Sequence, residues 1–184
     1  MSRKSVIAAA NGLLFVVAFA LPALDAIAQP SRQRLGRVGD IAFGTSFEDA
    51  KIASDAFVGL PYTTGDRRVL KTLAQHKVSV FDMAFNLTYV FGQDDRLTRV
   101  FGSYPNMLNL DKKACAANAA DLFAASVRQY GSPDIDKSES DGREWRFNFA
   151  DGRWIRFKYV FGGVLDKGSI TLDSMTPEGR NDRP

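Results

Sequence analysis

The amino-acid sequence predicts an α+β protein built from tandem α-β-β-β repeats, with the helices packed on one face of an antiparallel sheet. The first observation is an internal match, because Tyr89-Val-Phe-Gly92 recurs as Tyr159-Val-Phe-Gly162 at an offset of 70 residues. The second is that strands of alternating apolar and polar residues precede both copies at the same offset. A helix-like segment precedes each set of strands, so local identity and element order together indicate a duplicated unit.

Residues 1–28 have the layout of a cleaved secretory signal peptide. Arg3 and Lys4 precede an apolar run from Val6 to Leu21. Ala26-Ile-Ala28 then supplies small residues at positions −3 and −1 of a cut before Gln29. A retained membrane anchor is the competing interpretation, but this run of about 16 residues is shorter than the roughly 20 that span a bilayer. The sequence therefore predicts a periplasmic or secreted protein with no stable membrane span after cleavage.

The composition of the remaining chain limits its class. Without the leader, 156 residues remain, which suffices for one hydrophobic core. Removal of Arg3, Lys4 and Asp25 from the 24 basic and 21 acidic residues leaves a net charge of +2, which argues against nucleic acid as a partner. Cys115 is the sole cysteine of the sequence, so the chain forms no internal disulfide and has no acylation site beside its leader. Packing must therefore supply the stability of the fold.

The first repeat is predicted over residues 39–109, after a polar linker over 29–38. Thr45-Ser-Phe-Glu48 has the pattern of a capping box, and the helix that it opens is expected to run to about Val58, before a glycine and a proline. The strands expected next are Arg67–Ala74, Val78–Phe81, Met83–Phe91 and Leu97–Phe101. In the third of these, the large apolar residues Met83, Phe85, Leu87, Tyr89 and Phe91 recur with a period of two, so it should bury one face.

The second repeat is predicted over residues 110–175, and residues 176–184 are predicted to form a disordered tail. Asp111 should cap a helix that ends at Gly131. Its apolar stripe comprises Cys115, Ala119, Leu122, Phe123, Ser126, Val127 and Tyr130. The strands expected after it are Arg143–Phe149, Trp154–Phe161 and Ser169–Ser174.

The hairpin between the first two of these strands can be placed in register from side-chain packing. A three-residue loop, Ala150 to Gly152, pairs Phe147 with Ile155 and Trp145 with Phe157, which keeps the large apolar groups on one face. A two-residue loop would mix the two faces. In the three-residue loop, Gly152 occupies the left-handed position of a bulged turn.

This register gives the opposite face of the hairpin a basic and aromatic character. It carries Arg146, Trp154, Arg156 and Lys158, with Arg153 nearby. Arginine and tryptophan dominate binding hot spots, so these five residues are the candidate binding site, with Trp154 as the anchor inside a cationic rim. The alternative is an ordinary solvated sheet face on which Trp154 packs against Arg146 and Arg156.

Other chemistries receive little support from the sequence. The acidic loop Gly131–Gly142 resembles a calcium loop, but Glu139 stands where glycine is needed and Trp145 where the closing glutamate belongs. Nothing in the sequence places His76 near Cys115, as nucleophilic catalysis by a cysteine requires. Neither a serine-nucleophile motif nor a phosphate-binding loop occurs, so no catalytic residue, metal or cofactor is predicted.

The segment Gly39-x-Ile41-x-Phe43-Gly44-x-Ser46-x-Glu48-Asp49-Ala50 precedes a helix and a ladder of strands rich in Phe and Tyr. It resembles the small exported α+β modules of the SmpA/OmlA (BamE) and beta-lactamase-inhibitor-like group. The segment Tyr130-Gly-Ser-Pro133, before the second set of strands, resembles the same group. The resemblance implies tandem α-β repeats and, from the inhibitor-like members, binding of a partner protein on the sheet face. The outer-membrane members are lipoproteins, and the absence of an acylated cysteine after this leader counts against an assembly-complex role.

The sequence thus predicts an exported, non-enzymatic protein that binds an envelope or extracellular macromolecule, expected to be a protein, through its outward sheet face. Two alternatives remain open at this stage. The many phenylalanines could line the pocket of a carrier for a small apolar ligand, or an unrecognised pair of carboxylates could form a hydrolase site.

The position of the leader cleavage site can be tested directly. We expect mass spectrometry of the exported protein to give the mass of residues 29–184, because small residues precede Gln29 at −3 and −1. Ala28→Arg should accumulate the uncleaved precursor, whereas Pro30→Arg, beyond the cut, should be processed. An exported species that retains Met1 would contradict the assignment.

Overall fold

The computed structural model describes residue 32 and residues 34–105, 111–162 and 167–179. The predicted signal peptide, 1–28, lies outside these residues. The described helices are α1 (Phe47–Ala53) and α2 (Lys112–Tyr130). The described strands are β1 (Arg37–Val38), β2 (Ile41–Ala42), β3 (Phe57–Val58), β4 (Tyr62–Thr63), β5 (Val69–Leu70), β6 (Thr72–Val80), β7 (Met83–Phe91), β8 (Leu97–Ser103), β9 (Ile135–Glu139), β10 (Gly142–Asn148), β11 (Trp154–Gly162) and β12 (Lys167–Met175).

The predicted α+β class is confirmed by one large antiparallel sheet with helical segments. Eight strands pair in the order β3-β6-β7-β8-β12-β11-β10-β9. Two short ribbons, β1-β2 and β4-β5, lie outside that sheet. Strand β7 has the predicted bounds, and β8, β10, β11 and β12 differ from their predictions by one or two residues at one or both ends. The separate strands predicted over Arg67–Ala74 and Val78–Phe81 are wrong, because β6 runs through both segments with an irregularity between Gln75 and Val78.

The first helix is shorter than predicted. Ser46, not Thr45, is its N-cap, and the side chain accepts a hydrogen bond from the backbone N–H of Asp49. The helix ends at Ala53 because Ser54 is extended, with φ −135° and ψ 159°. The residues beyond it were predicted to be helical, but Phe57–Val58 pairs with β6 as an edge strand.

The second helix agrees with its prediction at both ends. Asp111 accepts a hydrogen bond from the Ala114 N–H, and Gly131 ends the helix at a positive φ of 76°. The predicted stripe packs onto the sheet, and Ser126 accepts a 3.1 Å hydrogen bond from the Trp145 indole N–H. We call the face of the large sheet toward α2 the inward face and the opposite one the outward face.

Three segments predicted to lack regular packing are ordered. Within the predicted acidic connection, Ile135–Glu139 pairs with β10 as an edge strand. Within the predicted linker, Leu35 is only 2% exposed, and β1 pairs with β2. In the predicted disordered tail, the Thr176 N–H donates to the Thr98 carbonyl. Backbone pairing and burial of single apolar residues explain these differences, since neither leaves a periodic signal in so short a segment.

The hairpin of β10 and β11 has the predicted register. Phe147 lies opposite Ile155 and Trp145 opposite Phe157, whose rings are stacked with centroids 5.5 Å apart. The Phe149 N–H donates to the Arg153 carbonyl, which closes the three-residue loop, and Gly152 has a φ of +79°. Local side-chain packing therefore decides the register.

Gly152 should not tolerate a side chain. Its φ is unfavourable for L residues, and an added Cβ would lie 2.8 Å from Pro177 Cγ. We expect Gly152→Val to lower the free energy of unfolding by about 1 to 3 kcal/mol, measured by urea denaturation. The control is Gly36→Val, whose Cβ would meet nothing within 4 Å. Equal losses of stability in the two variants would contradict this account.

Candidate functional site

One register row on the outward face crosses all eight strands of the large sheet. We call it the crossing row. From one edge to the other it comprises Ile135, Arg146, Arg156, Asp173, Phe101, Thr88, Ala74 and Phe57. Neighbouring strands are about 4.8 Å apart, so the row is roughly 34 Å long. Its charged members lie in one half and its aromatic members in the other.

A groove of about 450 Å³ occupies the middle of the outward face, and we call it the central groove. Members of the crossing row line it, from Arg156 to Ala74 with Phe101 between them. His76 lies at the apolar end, where its ring is 5.2 Å from that of Phe57. Polar groups along the neighbouring row come from Asn86, Ser103 and Thr171. The groove therefore combines charged, hydroxyl and aromatic groups.

Asp173 is the shared carboxylate of the charged half. It accepts hydrogen bonds from Arg99 at 2.9 and 3.1 Å and from Arg156 at 3.1 Å. Burial disfavours the charged form of Arg99, but the hydrogen bonds and charge of Asp173 outweigh it and raise the pKa of that guanidinium. Arg99 also donates to the Tyr62 hydroxyl, so ribbon β4-β5 is held against the outward face.

Arg146 and Arg156 form a like-charged pair on neighbouring strands. They lie directly opposite each other, an arrangement that destabilises a sheet. Both guanidinium groups lie over the Trp154 ring, 5.9 and 5.7 Å from its centroid. Among the described residues, no hydrogen-bond acceptor meets the buried Nε of Arg146. Asp173 therefore pairs with Arg156 as well as Arg99, whereas Arg146 has no carboxylate partner in the described part of the chain.

Three of the five predicted binding residues lie together, but in a different arrangement from the predicted one. The prediction of Trp154 as an exposed anchor is wrong, because the ring lies beneath Arg146 and Arg156 and is only 4% exposed. The alternative interpretation of the sequence, in which Trp154 packs against Arg146 and Arg156, is correct for this ring. Polar guanidinium groups therefore form the surface at this point.

The other two predicted residues lie apart from the central groove. Lys158 faces outward and is exposed, opposite Glu144 in the next row. Arg153 belongs to the end of the hairpin, where it donates to the Leu35 carbonyl at 2.8 Å and lies 5.3 Å from the Phe43 ring centroid. Arg153 therefore anchors the N-terminal segment and does not join the predicted cationic rim.

An exposed apolar segment at the β3 edge of the large sheet was not predicted from the sequence. Four large apolar side chains between residues 57 and 69 are exposed, and we call them the apolar segment: Phe57, Val58, Leu60 and Val69. In the described part of the chain, the remaining exposed large apolar residue is Ile52, on α1. These residues lie in short strands and turns, so they show no helical or strand periodicity in the sequence. The one available signal is the presence of large apolar residues next to Gly59 and Pro61, where a turn is expected.

The geometry separates the residues considered for catalysis. Cys115 is buried on the inward side, and burial raises the pKa of its thiol, whereas His76 lies on the outward face. The described residues contain no group of three or more potential ligands able to hold a metal ion. No helix in the described ranges is long and apolar enough to span a membrane.

Comparison with protein families, with curated proteins and with solved structures finds no match for this chain.

The Arg99–Asp173 pair should contribute much more to stability than an exposed pair of the same residue types. The side chains of Arg99 and Asp173 are each 13% exposed, against 31% and 38% for Arg143 and Asp136. We expect Asp173→Asn to cost about 2 to 4 kcal/mol, because it leaves poorly solvated arginines unpaired. Asp136→Asn is the control and should cost about 1 kcal/mol or less. Urea unfolding, which adds no ionic strength, measures both costs, and equal costs would refute the assignment.

Proposed function

We propose that this chain is an exported, non-enzymatic protein that binds a partner protein of the cell envelope or extracellular space through its outward face. The main observation is that four large apolar side chains near one edge of the sheet are exposed, and that one of them, Phe57, contacts His76 at the end of the central groove. Exposed apolar patches beside polar groups are typical of protein-interaction surfaces. The proposed export rests on the signal-like leader of the sequence.

The apolar segment and the central groove are physically continuous. Phe57 lies opposite Ala74 in the crossing row and contacts His76. Tyr62, between the exposed residues of the apolar segment, lies 5.9 Å from the Phe101 ring. A partner could therefore contact the groove and the apolar segment at once, as a standard protein interface requires.

The carrier alternative is less well supported by the positions of the phenylalanines. Many are buried in the single core cluster, including Phe85, Phe91, Phe147 and Phe157. The central groove instead presents Arg156 and Asp173 among hydroxyl groups, an unsuitable lining for an apolar ligand.

Asp173 and Glu144, in neighbouring rows of the outward face, are unsuitable as the acid pair of a hydrolase. Asp173 is engaged by two arginines. Glu144 lies between Lys137 and Lys158 in its row, so lysines flank it on both neighbouring strands. Glycoside hydrolysis needs two carboxyl groups that flank one bond, whereas each of these acids is held among its own basic neighbours.

We also propose that the two halves of the sheet descend from one duplicated α-β-β-β unit. Its supports are the sequence match at an offset of 70 residues and the order of the strands. Strands β6-β7-β8 follow α1, strands β10-β11-β12 follow α2, and the two sets join at β8 and β12. The ribbon β4-β5 has no counterpart among the described residues of the second half, so it is an addition that carries part of the apolar segment.

Affinity capture with matched variants tests the proposed interaction. The bait is the chain from Gln29 onward, which contains every described residue, and the source is an extract of the producing cell's envelope and medium. We expect the unaltered bait to retain a partner and the Phe57→Ser/Leu60→Ser bait to capture at least tenfold less of it. Both changes remove exposed apolar contact area.

Ile52→Ser is the matched control, since it removes an equally exposed apolar side chain from α1. Circular dichroism and thermal unfolding should show that all three baits fold. Cross-linking should connect the partner to lysines of the outward face such as Lys158. Equal capture by all three baits, or no specific capture, would refute the proposal.

A further inference from the structure

The crossing row divides into two chemically different halves, and the division falls where the two halves of the sheet join. On the β8 side, uncharged residues make up the row: Phe101, Thr88, Ala74 and Phe57. On the β12 side lie Asp173, Arg156 and Arg146. A partner that covers the central groove therefore meets an uncharged surface with aromatic rings, which we call the apolar end, on one side and a cationic surface on the other.

The cationic end has more positive charge than its own carboxylate neutralises. Arg99 and Arg156 share Asp173, and Arg146 has no ion-pair partner among the described residues. The side chains of Arg99 and Asp173 are mostly buried, whereas Arg156 is 39% exposed. An incoming carboxylate has two oxygens that could accept hydrogen bonds from Arg146 and Arg156 and would relieve their mutual repulsion.

The apolar end requires a different group from the partner. Phe101 and His76 line the groove there, and the row continues to Phe57 at the edge. Burial of this surface against apolar side chains is favourable, because it removes apolar area from water. Apolar side chains are thus the matching chemistry, and a polyanion such as nucleic acid would leave this half unused.

The distance between the ends fixes the scale of the occupant. Four strand steps separate Arg156 from Ala74, about 19 Å at 4.8 Å per step. An extended peptide covers that distance in about six residues, and a helix in about 13. The occupant must lie across the strands, because the two chemical halves follow one another along the row.

We infer that the partner presents an acidic and apolar peptide segment that crosses the strands, with a carboxylate at Arg146 and Arg156 and apolar side chains over Phe101 and Phe57. This inference rests on the proposed function, since it names the chemistry of the partner at the same face. The carboxylate sets the direction of the segment, and the apolar residues supply most of the buried area.

Selection from a random peptide library tests the inference independently of any natural partner. A phage library of 16-residue peptides is panned on the immobilised chain from Gln29 onward. Phe101 and Phe57 lie two and five strand steps from Arg156, about 10 and 24 Å. We expect enrichment of peptides in which Asp or Glu lies about three to seven residues from aromatic or aliphatic residues, or about six or more residues in helical peptides. Enrichment of apolar or basic peptides without an acid would overturn the inference.

A selected peptide then serves as the probe for a double-mutant cycle. Arg146→Gln/Arg156→Gln should weaken its binding at least tenfold, and Arg128→Gln, on α2, should leave it unchanged. Replacing the acidic residue of the peptide by its amide should weaken binding to the unaltered protein by a similar factor. The same replacement should barely change binding to the arginine variant, which has already lost the interaction. The amide peptide also keeps the test valid if the arginine variant folds poorly.

The failures of the two proposals are distinguishable. Suppose that the Phe57→Ser/Leu60→Ser bait no longer captures a natural partner, whereas a folded Arg146→Gln/Arg156→Gln bait captures it as well as the unaltered bait does. The inference is then overturned and the proposed function stands. If no natural partner depends on the outward face, the proposed function fails. Selected peptides that tolerate both double variants would also overturn the inference.

Discussion

The register of the large sheet, imposed by the apolar residues of its inward face, is the constraint on which the rest of the structure depends. Trp145 lies opposite Phe157, and Phe157 lies opposite Leu172, so three strands bury one continuous row. Because side chains alternate between the two faces of a strand, the same burial directs Arg146 and Arg156 outward. A slip of one residue would exchange these groups and cost about 2 kcal/mol or more for each large side chain exposed. Core packing therefore determines where the candidate site lies.

The junction between β8 and β12 depends on a small residue for the same reason. Leu172 lies opposite Gly102, and a Cβ on Gly102 would lie 2.6 Å from Leu87 Cδ2 and 2.4 Å from the Asn86 carbonyl oxygen. Glycine thus lets Leu87 fill the inward space at the centre of the sheet. On the outward side of this junction, Phe101 lies opposite Asp173, and the apolar half of the crossing row meets its charged half. One junction therefore organises both the core and the central groove.

The sequence was sufficient for features whose cause is local. The α2 caps, strand β7 and the three-residue hairpin each follow from residues close together along the chain, and the structure agrees with them. Features that depend on distant contacts were missed: the Arg99–Asp173 pair joins residues 74 positions apart, and no periodic pattern predicts it. The burial of Trp154 was missed for the same reason, because alternation assigns a side chain to a face but does not tell what covers it. Within the candidate site, the sequence identified Arg146 and Arg156 but not the carboxylate or the apolar segment.

The proposed duplication explains why the two halves share a core but not a surface. At the offset of 70 residues, Leu87 corresponds to Phe157, and both are buried, as the shared sheet requires. At the same offset, Asn86 corresponds to Arg156, and both line the central groove. The inward positions must fill a closed volume, so their substitutions are limited to apolar residues of similar size. The outward positions have no such volume to fill, so the crossing row could acquire charge in one half and stay uncharged in the other. A surface that differs between two structurally matched halves can specify the direction of a bound segment, which two identical halves could not do.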